Sequence, residues 1–384
     1  MQYRKFSKIN LDVSILGFGC MRLPVVDNDD KSSIDRNKTY ELFDYAIASG
    51  INYFDTAYFY HKLVSENFLG QYIKDQNMRQ RMLIATKLPL MRIKEKEQIK
   101  DFFSEQLEKL DVEYIDFYLL HAVNAMHWEK FYNWGILDFL SKLKAEGKIR
   151  YTGFSIHAGF DTFKAVLDAY DWDMCQIQYN YLDTDVQVGY KGYEYACKKD
   201  IPVVVMEPLR GGILAKKLPQ DAQDIFQSID PRLTPAAWAF SWLMNHPGVK
   251  TILSGMNTLE QLKENIEIAN KVMPNSLSEQ KLNAVEKVAE IMKNRQKIKC
   301  TTCFYCLPCP RNIPIPMIFN RYNRQFMFEE NGNIKNWYTK LLNNDKSADR
   351  CIACGQCEQK CPQSIEIING LKQTHEYFMK KVSE

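Results

Sequence analysis

The chain has 384 residues, 46% of them apolar, enough for one or two domains with a substantial core. Its net charge of +3 arises from interspersed acids and bases with no basic stripe, which argues against a nucleic-acid partner. No apolar stretch approaches the length of a membrane span, and Met1–Leu16 lacks the charged-then-apolar pattern of a signal peptide, so a reducing, cytoplasmic setting without a membrane is expected.

Tyr3–Phe6 and Asp12–Ser14, on either side of Lys8-Ile-Asn, read as a hairpin suited to plugging the bottom of a barrel. Short apolar runs then alternate with helical patterns. Ile15–Gly19 precedes helix Lys38–Ser49, Tyr53–Asp55 precedes Glu66–Lys74, and Leu83–Thr86 precedes Lys96–Leu110. Ile115–Leu120 precedes Ile136–Glu146, Tyr151–Ser155 precedes Phe160–Ala169, and Met174–Gln178 precedes Tyr190–Lys199. Val203–Met206 precedes Pro235–Met244, and Thr251–Leu253 precedes Leu259–Lys271. Eight such units force parallel strands with helical crossovers and predict an α/β fold, a closed (β/α)8 TIM barrel. A doubly wound sheet is the alternative, weakened because no Gly-x-Gly-x-x-Gly comes after a strand.

Beyond Lys271 the pattern changes. Ser278–Arg295 reads as a helix with a solvated Lys/Glu face, so the expected division is a barrel over 1–275, a connecting helix over 276–298 and a cysteine-rich domain over 299–384. Helical stretches near Ile318–Met327 and Ile334–Leu342 make this last domain mainly helical. Eight of the eleven cysteines lie there: Cys300, Cys303, Cys306 and Cys309 before Pro310, then Cys351, Cys354, Cys357 and Cys361 before Pro362. Three cysteines spaced by two residues, then a fourth preceding a proline, is how ferredoxins hold iron–sulfur clusters, so two [4Fe-4S] clusters are expected. Disulfides need an oxidising compartment, and zinc sites favour paired Cys-x-x-Cys units. The second run has three residues before its last cysteine and the first has only Leu307 and Pro308 before Cys309. Cys20, Cys175 and Cys197 are scattered and read as small core hydrophobes.

Active sites of such barrels lie at the C-terminal ends of the strands. The second strand ends in Asp55, the third in Lys87 and the fourth in His121, with Tyr60 on the loop above. Taken singly, Asp55 reads equally as a helix cap, Lys87 and Asp55 as a structural pair, and His121 as a core histidine.

Phe54-Asp-Thr-Ala-x-x-Tyr60, Thr86-Lys87 and Leu119-Leu-His121 resemble the aldo-keto reductase superfamily, as do Gly17-Phe-Gly-Cys-Met21, Gly153-Phe-Ser155, Gln178, Pro208-Leu209 and Leu262-Lys-Glu-Asn265. The likeness spans roughly residues 1–270, and the cysteine-rich domain resembles the iron–sulfur branch of that superfamily. It implies an enzyme that reduces an aldehyde or ketone, a small carbonyl substrate, with NAD(P)H. Reduction leaves an alkoxide that must take a proton, and a free tyrosine, with a pKa of about 10, is a poor donor near neutrality unless a neighbouring ammonium lowers it. The resemblance therefore makes Tyr60 the acid, Lys87 its tuner, Asp55 the anchor of Lys87, and His121 the group that orients the substrate oxygen.

For the nucleotide, the resemblance implies Met21 as a contact and Ser155 and Gln178 as holders of the nicotinamide carboxamide, with Ile156 where an Asn is usual. Met206 stands where an aromatic usually stacks, Glu207 where a small Ser is common, and Pro208 and Leu209 come next. Arg210-Gly-Gly212 is placed for the pyrophosphate, and Glu264 and Asn265 for the adenine. Gly255 and Gln261 occupy the places where relatives hold the 2′-phosphate with cations, so NAD(H) is expected to bind at least as well as NADP(H). His61 stands where many relatives have Gly, and its bulk is expected at the substrate mouth or the surface. The loop aromatics Tyr58, Phe59, Trp128, Trp134 and Tyr181 do not identify the carbonyl compound. The clusters could relay electrons, staple the domain or sense redox state. The alternative function is an electron carrier whose barrel is catalytically quiet and whose clusters serve a redox partner protein.

Overall fold

The computed structural model describes residues 1–216, 218–300, 306–328, 333–361 and 363–384. The chain divides into two compact units, residues 1–216 with 234–279, and residues 217–233 with 280–384.

The first unit opens with β1 (Tyr3–Phe6) and β2 (Leu11–Ser14), paired antiparallel around Asn10, whose φ of 49° closes the turn. The barrel then runs β3 (Leu16–Gly19), α1 (Arg36–Ala48), β4 (Tyr53–Asp55), α2 (Ser65–Gln76), β5 (Leu83–Leu88), α3 (Gln98–Leu110) and β6 (Ile115–Val123). It continues through α4 (Ala125–Asn133), α5 (Ile136–Ala145), β7 (Ile149–Ile156), α6 (Phe160–Asp168), β8 (Met174–Gln178), α7 (Gly189–Lys198) and β9 (Val203–Met206). After α8 (Gln220–Ile229), which falls in the second unit, come α9 (Pro235–Met244), β10 (Val249–Ser254) and α10 (Leu259–Lys271). Strands β3 to β10 pair in parallel in sequence order, and β10 returns to β3, closing an eight-stranded TIM barrel.

Strands covered on both faces read as unbroken apolar runs, which is why Phe117–Leu120 and Val203–Val205 are wholly buried. Phe6 and Val13 of the hairpin pack with Tyr53, Ala85, Phe117, Leu119, Met174, Val204 and Leu253, so the hairpin plugs the barrel floor as expected. Buried Arg4 fixes that plug by donating to the carbonyls of Met244, His246 and Val249. Thr234 caps α9 through the Ala237 N–H with Pro235 in its first turn, and every residue of that helix from Ala236 to Met244 is buried.

Two strands are longer than their apolar runs. β5 continues to Leu88 and β6 to Val123, because the polar residues at their ends are held inside the barrel instead of marking its rim. Helix α4 does not stand out as an apolar pattern. Asn124 starts it by accepting from the His127 N–H at 2.8 Å.

The second unit adds α11 (Glu279–Asn294), α12 (Ile315–Met327), α13 (Ile334–Asn343), the single-turn α14 (Gln356–Gln359) and α15 (Ile367–Ser383). Lys281 pairs with Asp230 at 3.1 Å and Arg295 with Asp221 at 2.9 Å, which ties α8 and the turn after it to α11. Ile298, Ile313, Ile315, Ile318, Phe319, Tyr338, Leu371 and Phe378 form a core of its own. None of the described helices is long and apolar enough to cross a membrane.

Candidate functional site

Asp55 ends β4, and Lys87 lies on β5 two residues beyond Ala85, the partner of Asp55 across the sheet. Both side chains are buried. Lys87 Nζ donates to Asp55 Oδ1 at 2.7 Å, to the Thr56 carbonyl at 2.8 Å and to Tyr60 Oη at 3.4 Å. A charged ammonium thus touches the one phenol above it. Burial alone would lower the Lys87 pKa, but Asp55 and then Tyr60 outweigh it, and the net direction is up. For Asp55, burial pushes the carboxyl up and Lys87 opposes it; its Oδ2 is buried without a hydrogen-bond partner. Tyr60 departs from the sequence expectation. The field of Lys87 does favour the phenolate, but burial is stronger and pushes the hydroxyl up to about 12. Tyr60 therefore keeps its proton throughout the neutral range, as a donor must.

A polar lattice that the sequence does not reveal stands behind Lys87. Gln106 Nε2 donates to the Lys87 carbonyl at 3.1 Å and to Glu66 Oε1 at 2.6 Å. Thr86 Oγ1 also donates to Glu66, and Tyr118 Oη donates to Gln106 at 2.9 Å. Glu66, Thr86, Gln106 and Tyr118 are all buried, on α2, β5, α3 and β6 respectively. No local sequence signal links them, since only the barrel brings these elements together.

His121 sits in an irregularity of β6, where the register with β7 shifts between Leu120 and Val123 and Ala122 takes φ 50°. The Ala122 N–H donates to Ser155 Oγ at 2.9 Å, and Ser155 donates to the Leu120 carbonyl at 3.4 Å. Ser155 thus clamps the turn that presents His121. The His121 ring lies 6.3 Å from that of Tyr60 and 5.8 Å from that of Phe59. Its Nδ1 is buried without a partner. Burial first, then Lys87 and His157, hold the imidazole well below its usual range, so it is neutral at pH 7. With His121 already deprotonated and Tyr60 still protonated, kcat/KM of a reaction that takes its proton from Tyr60 is expected to be flat between about pH 6 and 9. A break near the ordinary histidine value in a pH–rate profile would show that His121 titrates there.

Beside these groups lies a cavity of about 120 Å³, lined by Gly19, Met21, Arg22, Asp55, Tyr60, Gln176, Met206 to Leu209, Gly211, Gly212, Ser254 and Gly255. Of the expected nucleotide contacts, Met21, Met206, Pro208, Leu209 and Gly255 are on this wall. The others have different partners. Gln178 donates to Asp183 at 2.9 Å and accepts from Gln187 at 3.3 Å. Arg210 pairs with Asp183 at 3.5 Å. Gln261 accepts from the Asn257 N–H at 3.0 Å, Glu264 from Thr234, and Asn265 donates to Ser254 Oγ at 3.2 Å.

Two lining residues escape the sequence-based expectation. Gln176 is two residues before Gln178 and so on the same face of β8. It is buried, with Nε2 3.6 Å from Met206 Sδ and Oε1 without a partner. Strand alternation alone cannot decide which of the two glutamines faces the cavity. Arg22 donates to the Gly211 carbonyl at 2.7 Å and approaches Glu207 at 3.5 Å. A Cβ on Gly255 would come within 3.2 Å of the Arg22 side chain, and one on Gly19 within 3.3 Å of the Ser254 carbonyl. The two glycines keep the trough open.

His61 is not at the surface. It has φ 50°, the left-handed backbone that Gly adopts freely. Its buried ring accepts from the Leu23 N–H at 3.0 Å and lies 2.7 Å from the Lys31 carbonyl, pinning that loop.

In the second unit, Cys300, Cys306, Cys309, Cys351, Cys357 and Cys361 pack against the apolar core, and Cys354 is exposed. Cys303, expected as a ligand, lies outside the described residues. A cavity is lined by Cys306, Cys309, Cys351, Cys354 and Cys357, with Pro308, Pro310 and Arg311. Two cysteines of the first run, Cys306 and Cys309, thus share one space with the first three of the second. Among the described residues no three potential ligands converge as one metal ion requires.

Residues 15–290 match the model of the aldo/keto reductase family, and residues 299–366 match that of the 4Fe-4S dicluster domain. Among curated proteins, the uncharacterized oxidoreductase YqkF of Bacillus subtilis is 28% identical over 321 residues, covering 74% of this chain and 96% of its own. L-galactose dehydrogenase of Arabidopsis thaliana is 25% identical over 323 residues, covering 77% and 96%. An aldo-keto reductase from Bacillus halodurans, solved in its holo form, superposes with a TM-score of 0.62 at 26% identity over 75% of this chain and 96% of its own. The chain therefore belongs to the aldo/keto reductase family, as an oxidoreductase whose barrel precedes a 4Fe-4S domain.

Proposed function

We propose that residues 1–275 reduce an aldehyde or ketone with a nicotinamide nucleotide, that residues 276–298 connect, and that residues 299–384 hold two [4Fe-4S] clusters for electron transfer. The single observation behind the catalytic reading is the ammonium of Lys87 between Asp55 Oδ1 at 2.7 Å and Tyr60 Oη at 3.4 Å.

The trough beside Tyr60 fits a nucleotide. Gln176 offers an unpartnered buried amide oxygen, the glycines leave room for a chain of phosphates, and Arg22 supplies a cation above it. A bound reduced nicotinamide would supply hydride to the carbonyl carbon. The protein's own part is to hold and protonate the oxygen. Tyr60 Oη gives its proton to that oxygen, Lys87 stabilises the phenolate left behind, Asp55 keeps Lys87 charged and fixed, and neutral His121 donates a hydrogen bond that orients the carbonyl. Met21, Met206, Pro208, Leu209 and Gly255 line the nucleotide's path, with Gln176 taking the amide-holding role expected of Gln178. Ser155, Arg210, Gln261, Glu264 and Asn265 act by shaping the loops around it.

With Gly255 and Gln261 where phosphate-reading cations are usual, NADH is expected to bind at least as tightly as NADPH. Titrating both against the purified protein tests this, and a large NADPH advantage contradicts it.

One cluster would be held by Cys351, Cys354, Cys357 and Cys309, and the other by Cys300, Cys303, Cys306 and Cys361. Each supplies one-electron redox chemistry when bound. Cys309→Ser is expected to lower iron and acid-labile sulfide by about half while the fold, read by circular dichroism, persists. The cytoplasm is the compartment that keeps these thiols reduced. The second reading, an electron carrier with a quiet barrel, draws on Met206 standing where a stacking aromatic is usual.

A further inference from the structure

The outer wall of the thiol-lined cavity is the turn from Cys351 to Gly355. Ala353 (φ 52°) and Gly355 (φ 73°) are both left-handed, and Ile352 and Cys354 on this turn line the cavity. Ile352 is 58% exposed and Cys354 is exposed, whereas the other six described cysteines of the two runs lie against the core. Ile352 thus borders the thiol-lined cavity while much of its side chain stays in water.

Two exposed cations flank this turn in the sequence, while Asp349 just before it pairs with Arg350. Arg311 lines the same cavity from the first run and is exposed. Lys360, at the end of α14, is exposed as well. Among the described residues neither meets a carboxylate, and no Asp or Glu lines the cavity. The nearby Glu358 is turned inward, accepting from the Ile368 N–H at 2.8 Å at the start of α15. Residues 280–384 hold seventeen Lys and Arg against ten Asp and Glu, a net +7, while the remainder holds thirty-three against thirty-seven, a net −4. Thiolate-bound clusters would add negative charge at the centre, with Arg311 on the cavity wall beside it.

We infer that the Cys351–Gly355 turn is the electron port of the second unit, and that it docks an acidic one-electron carrier protein through Ile352 at the centre and Arg311 and Lys360 at the rim. This rests on the reading that these thiols hold clusters. One electron crosses per encounter, donor oxidised and acceptor reduced by one, with no proton moved. An apolar centre excludes water, and a charged rim steers the approach.

The test uses the full chain, anaerobically purified, with iron and sulfide measured first. An acidic plant-type [2Fe–2S] ferredoxin is the probe, and basic cytochrome c the control. Binding of the ferredoxin is expected to weaken roughly tenfold between low and moderate salt, as screening of exposed charges requires. Ile352→Glu and Arg311→Glu are each expected to weaken it at least about tenfold with iron and sulfide content retained. Cluster-loaded protein that ignores the ferredoxin, binds it equally well in both variants, or prefers cytochrome c would overturn the inference alone. Protein that assembles no iron–sulfur cluster would overturn the reading beneath it as well.

Discussion

Tyr60→Phe is expected to lower the kcat of carbonyl reduction by about 10²–10⁴-fold, the usual worth of a positioned acid. The change removes one oxygen. That oxygen has a single close cation, Lys87 Nζ at 3.4 Å, and burial holds its proton in place to about 12. Phe fills the same space, so the fold should be untouched and nucleotide affinity should change little. The loss should fall on kcat and kcat/KM together, the pattern of an interaction made only in the transition state. Unchanged turnover in Tyr60→Phe would remove Tyr60 from the chemistry, and absence of turnover in the wild-type chain would favour the quiet-barrel reading.

Lys87→Met should affect two properties at once. Lys87 is fully buried, and its ammonium is the only hydrogen-bond partner of the equally buried Asp55 carboxylate among the described contacts. Removing one member of a buried pair leaves the other charged in an apolar setting, which costs about 3–5 kcal/mol. Thermal unfolding should show a clear fall in Tm, and the phenolate formed at Tyr60 would lose its stabilising cation. The double change Asp55→Leu with Lys87→Met separates the effects: stability should largely return, because neither charge is stranded, while activity should not. Stability that stays low in the double variant would show that packing, not the stranded carboxylate, sets the cost.

The fold was legible because two kinds of pattern survive in a single sequence. Parallel strands buried on both faces leave apolar runs, and eight of them alternating with helices fit a closed barrel. The cysteine spacing marks its chemistry independently of any fold. The candidate site was legible for a related reason, since Asp55, Lys87 and His121 are polar residues that end the apolar runs of their strands. What stayed hidden depends on contacts between distant elements. Glu66, Thr86, Gln106 and Tyr118 meet only in the folded barrel. Gln176 and Gln178 have the same strand parity, and only the loop residues Asp183 and Gln187 take the second one away from the cavity. Burial was the other blind spot. A nearby ammonium can be inferred from strand ends, but the desolvation that reverses the net shift of Tyr60 cannot.

Hydride delivery can be followed atom by atom. Cluster-loaded protein would be given a simple aromatic aldehyde and nicotinamide nucleotide deuterated at the transferable C4 position, and the alcohol examined by NMR. One deuterium on the carbinol carbon of each product, formed by the wild-type chain and at least about a hundredfold more slowly by Tyr60→Phe, is the result expected of a barrel that takes hydride directly. Alcohol without deuterium, or no alcohol from the wild-type chain with both nucleotides bound, would contradict it.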